Sequence, residues 1–415
     1  MTTCLPAIAS SSPPAIGAPI HTRIDEGRAA LTRLAQAWDD LLPRASFATP
    51  HVSRSWVEAW IDRSAGADRP VALTAWREDR LVGFLLLDVR RRLTARVAKM
   101  YGAARPGYQG MLVDIDCPQA AVELARACDH HRPFDCIVLD NLSTLDHATR
   151  CFIDELGRRR WHSLSTPRTI CHRIDLESSF ASYLQHRHSR KARYNLQRLE
   201  RLARRAHDLK IDRFDGMAID DSVMDRIAHI QDRSWMRRRG AAVFLHDDWR
   251  RLILRIARAG LARVWILRVD GQDAAFVIAT IAGTNLYYEW TAFDLAFQEL
   301  SAGRLLTKHI IEEAGGNGCR WLDFGQGDAA YKRFWATDHH LVERTAVASG
   351  ASGRSVLLLH RALWSLPPTG RILRAYRALR RARRRMAQAR IAPASTRNRH
   401  GRTEATHASQ APHDP

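Results

Sequence analysis

The segment from Tyr287 to Trp335 holds the residues of this chain best suited to proton transfer and anion binding. Glu289 stands in Tyr287-Tyr288-Glu289-Trp290, where aromatic neighbours can strip water from its carboxyl and raise its pKa. That makes Glu289 the first candidate for a general base, with Asp323 second; a solvent-facing strand carboxylate is the plainer alternative. The chain then passes through Gln298-Glu299-Leu300-Ser301-Ala302-Gly303 into a helix. Free N–H groups at a helix start attract anions, and small residues let a ligand such as pyrophosphate approach the backbone. Ser301 acting only as the helix N-cap explains the same triplet. Next come Asp323-Phe324-Gly325-Gln326-Gly327-Asp328 and Tyr331-Lys332: acids, glycines, a phenol and an amine in one short run. They suggest a site at strand ends, with Tyr331 as proton donor and Asp328 and Lys332 facing substrate; a glycine-rich turn with Asp328 capping the next helix is the alternative.

The elements that must position these groups read as α/β. A helix is expected over 28–42, a second around Trp56 and Trp60, and two strands over 71–77 and 81–89 turned by Glu78-Asp79-Arg80. Helices are expected over 119–131 and 150–160, flanking a strand at 135–139. A long helix is expected from about Phe180 to Leu209, with Ala192, Leu196, Leu199, Ala203 and Ala206 at helical spacing. Helices over 221–239 and 247–259 follow. The period then changes to two, giving strands over 264–269, 274–281 and 286–292. Asp270-Gly271 and Gly283-Thr284-Asn285 join them into an antiparallel meander. A helix over 304–314, a strand over 321–324, a helix over 329–335 and a strand over 342–348 complete the pattern. The expected organisation is a disordered leader (1–20), an N-terminal half (21–175), a C-terminal half (176–350) and an Arg-rich tail (351–415) carrying an amphipathic helix.

The chain has 415 residues, 46% of them hydrophobic, and a formal net charge of +20. That composition excludes a disordered chain, and seven scattered cysteines exclude a disulfide scaffold. No HExxH motif and no close Cys/His spacing are present, so no metal site is expected. The N-terminus lacks the basic flank and apolar run of a secretory signal, and no stretch reaches the roughly 18 to 20 apolar residues of a membrane span, so a cytoplasmic protein is expected. The charge is local: residues 187–213 carry a net +7 and residues 351–415 a net +12, leaving the remainder near neutral. In the first segment Arg190, Lys191, Arg193 and Asn195 are candidate ligands for an anionic acceptor, a reading favoured by their place at the join of the two halves; a solvated helix face and a nucleic-acid contact are the alternatives. The tail helix, with Ile372, Leu373, Tyr376 and Leu379 among arginines, can lie on an anionic membrane surface, placing the protein at the inner face of the membrane; a solvated extension is its bland reading.

The run Ala292-Phe293-Asp294, Leu300-Ser301-Ala302-Gly303-Arg304-Leu305-Leu306 and Leu322-Asp323-Phe324-Gly325-Gln326-Gly327-Asp328, with Tyr331-Lys332-Arg333-Phe334-Trp335, resembles GNAT-fold acetyltransferases of the CelD/BioF-like group. These are relatives of the Fem-type peptidoglycan aminoacyltransferases. Ser189-Arg190-Lys191-Ala192-Arg193-Tyr194-Asn195-Leu196 is similar to the helix opening that group's acetyltransferase domain. Thr49-Pro50, Trp56 and Leu81-Val82-Gly83 resemble its N-terminal half. The resemblance implies an α/β (α+β) fold of two tandem GNAT-like halves, with mixed, mainly antiparallel sheets flanked by helices and a basic helical C-terminal tail. It also implies acyl transfer from acetyl-CoA or another acyl-CoA to an amine or hydroxyl, without metal. A sugar nucleotide or another polysaccharide or cell-envelope precursor would be the acceptor. Ala302, Gly303, Arg304 and Leu305 take the pyrophosphate-loop position, and Tyr331 would protonate the departing thiolate. The loop is shorter than the usual Arg/Gln-x-x-Gly-x-Gly/Ala pattern. A Fem-like transferase drawing on aminoacyl-tRNA is therefore the alternative enzyme, and a non-catalytic nucleic-acid-binding protein on this fold the alternative from another class.

Overall fold

In the computed structural model the described residues are 18–61, 69–92, 94–101, 107–176, 179–238 and 240–364. Most of the expected leader and the amphipathic helix expected after Thr369 lie outside them.

The first stretch contains β1 (Ile20–Glu26), α1 (Arg28–Leu41), α2 (Arg54–Ile61), β2 (Pro70–Arg77), β3 (Arg80–Arg92), β4 (Ala95–Met100), β5 (Leu112–Val113), α3 (Gln119–His131), β6 (Cys136–Ser143), α4 (His147–Arg158) and β7 (His162–Asp175). The second contains α5 (Phe180–Arg187), α6 (Arg190–Ala206), β8 (Leu209–Asp215), α7 (Asp221–Asp232), α8 (Trp235–Arg238), α9 (Asp247–Arg258), β9 (Ala262–Val269), β10 (Gln272–Ala282) and β11 (Asn285–Phe293). It closes with α10 (Ala302–Gly316), β12 (Trp321–Gln326), α11 (Ala330–Trp335), β13 (Asp338–Ala348) and α12 (Gly350–Trp364).

Short-range chemistry explains most of these boundaries. The meander β9–β11 turns at Asp270-Gly271, both at positive φ (50° and 81°), the geometry a tight hairpin requires. The long helix expected from Phe180 to Leu209 is two helices. His188 is extended, and Ser189 accepts a hydrogen bond from the amide of Ala192, so Ser189 caps a fresh start. From Leu209 the chain is strand β8, because its residues pair with β9.

The strands form one mixed sheet in the order β1-β2-β3-β4-β6-β13-β7-β12-β11-β10-β9-β8, with β5 on β3. Strand β13, expected to close the second half, lies between β6 and β7, antiparallel to both. Strand β7 pairs along its length with β13, and its end, Cys171–Asp175, also pairs with β12. The two halves are thus stitched through an exchanged strand. Helices cover both sides. Helices α3 and α4 pack Leu124, Phe152 and Leu156 on one face of the first half, and α1 with Trp38 and Leu41 covers the other. In the second half α6 and α10 cover one face, with Leu196, Leu306 and Ile310, and α7 and α9 the other. Trp56 of α2 sits in that last cluster, stacked 6.3 Å from Trp290, so an N-terminal helix packs on the C-terminal half.

Candidate active site

Glu289 and Asp323 flank the place where β11 and β12 part. The two strands pair in parallel at Asn285–Trp321, Leu286–Leu322 and Tyr287–Asp323, and among the described residues no pairing continues beyond. On the other edge of β11 the register to β10 jumps from Trp290–Ile278 to Tyr288–Ala279, leaving Glu289 as the extra residue of a bulge. A bulge re-aims the side chain it carries, and here that side chain meets the N-terminal half. Glu289 Oε1 lies 2.6 Å from His51 Nε2 and accepts from Thr280 Oγ1 at 3.1 Å. The His51 side chain is 3% exposed and that of Glu289 12%, so Glu289 is the member of the pair open to a substrate.

His51 sits in the one-turn helix Pro50–Val52, held because Ser53 Oγ donates to the Pro50 carbonyl and Trp38 Nε1 to that of Val52. Edge-on contacts with Trp56, Tyr108 and Tyr287 box in its ring. Gly107 is at φ +104°, and a Cβ added there would fall 2.1 Å from the ring. Behind His51, toward Trp38, Phe84 and Met100, a cavity of about 30 Å³ remains. That is room for a water and not for an acyl chain.

Asp323 has a different setting. It is 1% exposed and accepts from Tyr108 Oη at 2.8 Å on each oxygen and from the Gly325 amide at 2.5 Å. Burial raises its pKa to about 6, against these hydrogen bonds, which favour the anion. The Tyr108 phenol is pushed well up by burial and by the neighbouring carboxylate. Cys171 beside it is raised to about 12 by burial. His340 Nε2 is 3.9 Å from Asp323 and its ring is shifted down to about 4 by burial. Lys332 is buried too. Its ammonium donates to the carbonyls of Gln326 (2.7 Å) and Gly325 (3.2 Å), and burial lowers its pKa. This seam therefore draws on β7, β11, β12, β13, α11 and the N-terminal loops.

Helix α10 packs on β11 in the cluster that holds Tyr288 and Phe324. Ser301 occupies the N-cap position in the left-handed region (φ 56°), and its side chain caps nothing. The amides of Arg304 and Leu305 bond to the Ser301 carbonyl; among the described residues those of Ala302 and Gly303 have no acceptor. Gly303 lies against Phe293, Ala302 and Leu305 are buried, and the Arg304 guanidinium stacks 5.4 Å over Phe334. A chain of hydrogen bonds leads from the Gly303 carbonyl through Thr307 Oγ1 to Tyr288 Oη, next to Glu289. Tyr331, 39% exposed, contacts the rings of Phe324 and Tyr288 on this side.

The remaining predicted site residues are elsewhere in character. Asp328 is half-exposed and held by His172 (2.9 Å) and Arg333 (2.7 Å), which lower its pKa, Arg333 first. Arg193 donates to the carbonyls of His188 and Gln185, fastening the elbow between α5 and α6. Arg190, Lys191 and Asn195 are exposed on α6. Sequence reasoning missed His51 and Tyr108. His51 directly follows the Thr49-Pro50 pair that carried part of the resemblance, but nothing in the sequence links it to a glutamate 238 positions away.

Residues 190–333, roughly a third of the chain, match the acetyltransferase (GNAT) domain family. No curated protein sequence matches the chain. Among solved structures, FemX superposes with a TM-score of 0.57 at 11% identity, over 75% of this chain and 95% of FemX. The C-terminal DUF2156 domain of a candidate lysylphosphatidylglycerol synthetase from Agrobacterium fabrum follows (TM-score 0.49, 13% identity, 80% and 96% covered). A tandem GNAT protein from the clavulanic acid biosynthesis pathway gives 0.42 at 12% identity, over 80% and 100%. Residues 190–333 thus match a GNAT domain, and the chain has a mixed α/β, Fem-like fold shared with FemX.

Proposed function

We propose that the protein transfers an acyl group from an acyl-CoA to an amine or hydroxyl acceptor, with Glu289 as the base. The observation that carries this reading is the Glu289 carboxylate on a bulge beside the opening between β11 and β12, its inner oxygen held by His51. Glu289 takes the acceptor proton as the acceptor heteroatom bonds to the acyl carbon. His51 orients the carboxylate and stabilises its position, acting through Glu289. The edge of β11 beyond Tyr287 offers backbone N–H groups to the developing oxyanion. As the carbon–sulfur bond breaks, Tyr331 protonates the thiolate. The free amides of Ala302 and Gly303 at the start of α10, with Arg304 beside them, suit the donor's pyrophosphate. Asp323, Tyr108 and Lys332 position the strand ends. The acceptor enters from the open side of Glu289.

Calorimetric titration with acetyl-CoA, followed by thiol release across amine and hydroxyl acceptors, tests the reading. Binding with acceptor-dependent thiol release supports it; no binding and no turnover overturns it.

One observation favours a second reading, the Fem-like aminoacyl-tRNA-dependent transferase. On α6 the exposed Arg190, Lys191, Arg198, Arg201 and Arg205 have no partner among the described residues. At 3.6 residues per turn they fall within about 120° of the helix. Transfer of a labelled aminoacyl group from tRNA, with no response to acyl-CoA, would select this alternative.

A further inference from the structure

Helix α12 is amphipathic in an unusual direction for a helix at the surface. Its inner side carries Gly353, where an added Cβ would fall 2.2 Å from the Asp135 carbonyl, so the helix lies directly on backbone. Its outer side carries Leu358 and Leu359, 65% and 52% exposed, with Ala351, Ser355 and Ala362 also exposed. Arg354 and Arg361 are exposed along one edge of that apolar strip. The chain continues into residues 365–415, which by composition carry twelve Arg against Glu404 and Asp414.

We propose that α12, through Leu358, Leu359, Arg354 and Arg361, docks the protein on an anionic phospholipid bilayer, with the two leucines entering the headgroup boundary. Exposed leucines edged by arginine match the two components of such a surface: an apolar boundary layer and a negative potential. A second copy of the chain fits less well, because face-to-face packing of α12 would bring the arginines of both copies together. A nucleic acid would leave the leucines without a function. The proposal stands apart from the acyltransferase reading, since α12 contributes nothing to the seam. No described helix is long and apolar enough to cross a membrane, so the contact is one of surface docking.

The test is co-sedimentation of the full chain with vesicles of phosphatidylcholine alone and with roughly one-third phosphatidylglycerol. Binding at least about tenfold tighter to the anionic vesicles, weakening as salt is raised, is expected. Leu358→Ser with Leu359→Ser should weaken it at least about tenfold with an unchanged melting temperature, as both side chains are exposed. Arg354→Gln and Arg361→Gln should each weaken it by up to about fivefold. Equal binding to both vesicles, or full binding by the leucine variant, overturns the proposal. So does retention on RNA without vesicle binding, or a dimer that the leucine change abolishes in protein that ignores vesicles.

Discussion

The two sides of the opening between β11 and β12 each present a carboxylate, and the two differ in almost everything except proximity to the seam. Glu289 rides on a bulge, keeps part of its carboxyl open, and has a histidine behind it. Asp323 ends the paired stretch, is closed off, and spends both oxygens on Tyr108. The difference teaches that a carboxylate next to a strand opening is not by that fact a base. A base needs an exposed oxygen and a held partner oxygen, whereas a closed carboxylate whose proton is favoured by burial is a fastening between halves.

The comparison can be broken in four ways. Glu289→Gln carries the largest effect: turnover should fall about 10²- to 10⁴-fold with donor affinity little changed, read by thiol release and calorimetry. An unaltered rate would remove Glu289 as base.

Asp323→Asn should show mainly in stability. The carboxyl is pushed from 3.8 to about 6 in the folded protein. Below pH 4 both states hold the proton, between 4 and 6 the folded state alone does, and above 6 neither does. Its contribution is therefore complete below pH 4 and lost as pH rises through 6. The stability of the parent protein relative to Asp323→Asn should fall by up to about 3 kcal/mol between pH 4 and 7 in urea titrations. Asp146, also raised to about 6 by burial, behaves alike in both proteins and cancels. A flat difference would mean that Asp323 is not closed off as described.

Tyr108→Phe should cost about 1.5–3 kcal/mol at pH 8, where it strands an ionised buried carboxylate, and less at pH 4. Its turnover should stay within a few-fold of the parent; a collapse in rate would shift the chemistry toward Asp323. The smallest effect belongs to His51→Gln, which should lower turnover about tenfold and move the pH–rate profile, while leaving donor affinity alone. If it leaves the profile unmoved, His51 serves packing only.

Much of this was legible in the chain. Asp270-Gly271 announced the β9–β10 hairpin, Gln119–His131 was read to the residue, and the run from Tyr287 to Trp335 pointed at strand ends that do flank the opening. These are signals of short range, set by turn conformers and periodicity. The Phe180–Leu209 reading ran two helices together because apolar spacing alone does not register an N-cap such as Ser189. Strands β1, β4, β7 and β8 escaped notice; β7, for example, carries Arg, His and Pro among its apolar residues, and its pairing comes from β13 and β12 far along the chain.

The sequence by itself determined the class of fold, the turn of Ser301, Ala302 and Gly303 into a helix, and Glu289 as a carboxylate among aromatics. Tertiary structure alone decided that β13 enters the first half, that Asp323 is sealed by Tyr108, and that His51 stands behind Glu289. The physical reason is sequence distance. Turns and helix caps are settled by neighbours a few bonds apart, whereas these contacts span 215 and 238 positions and form only when the whole sheet closes.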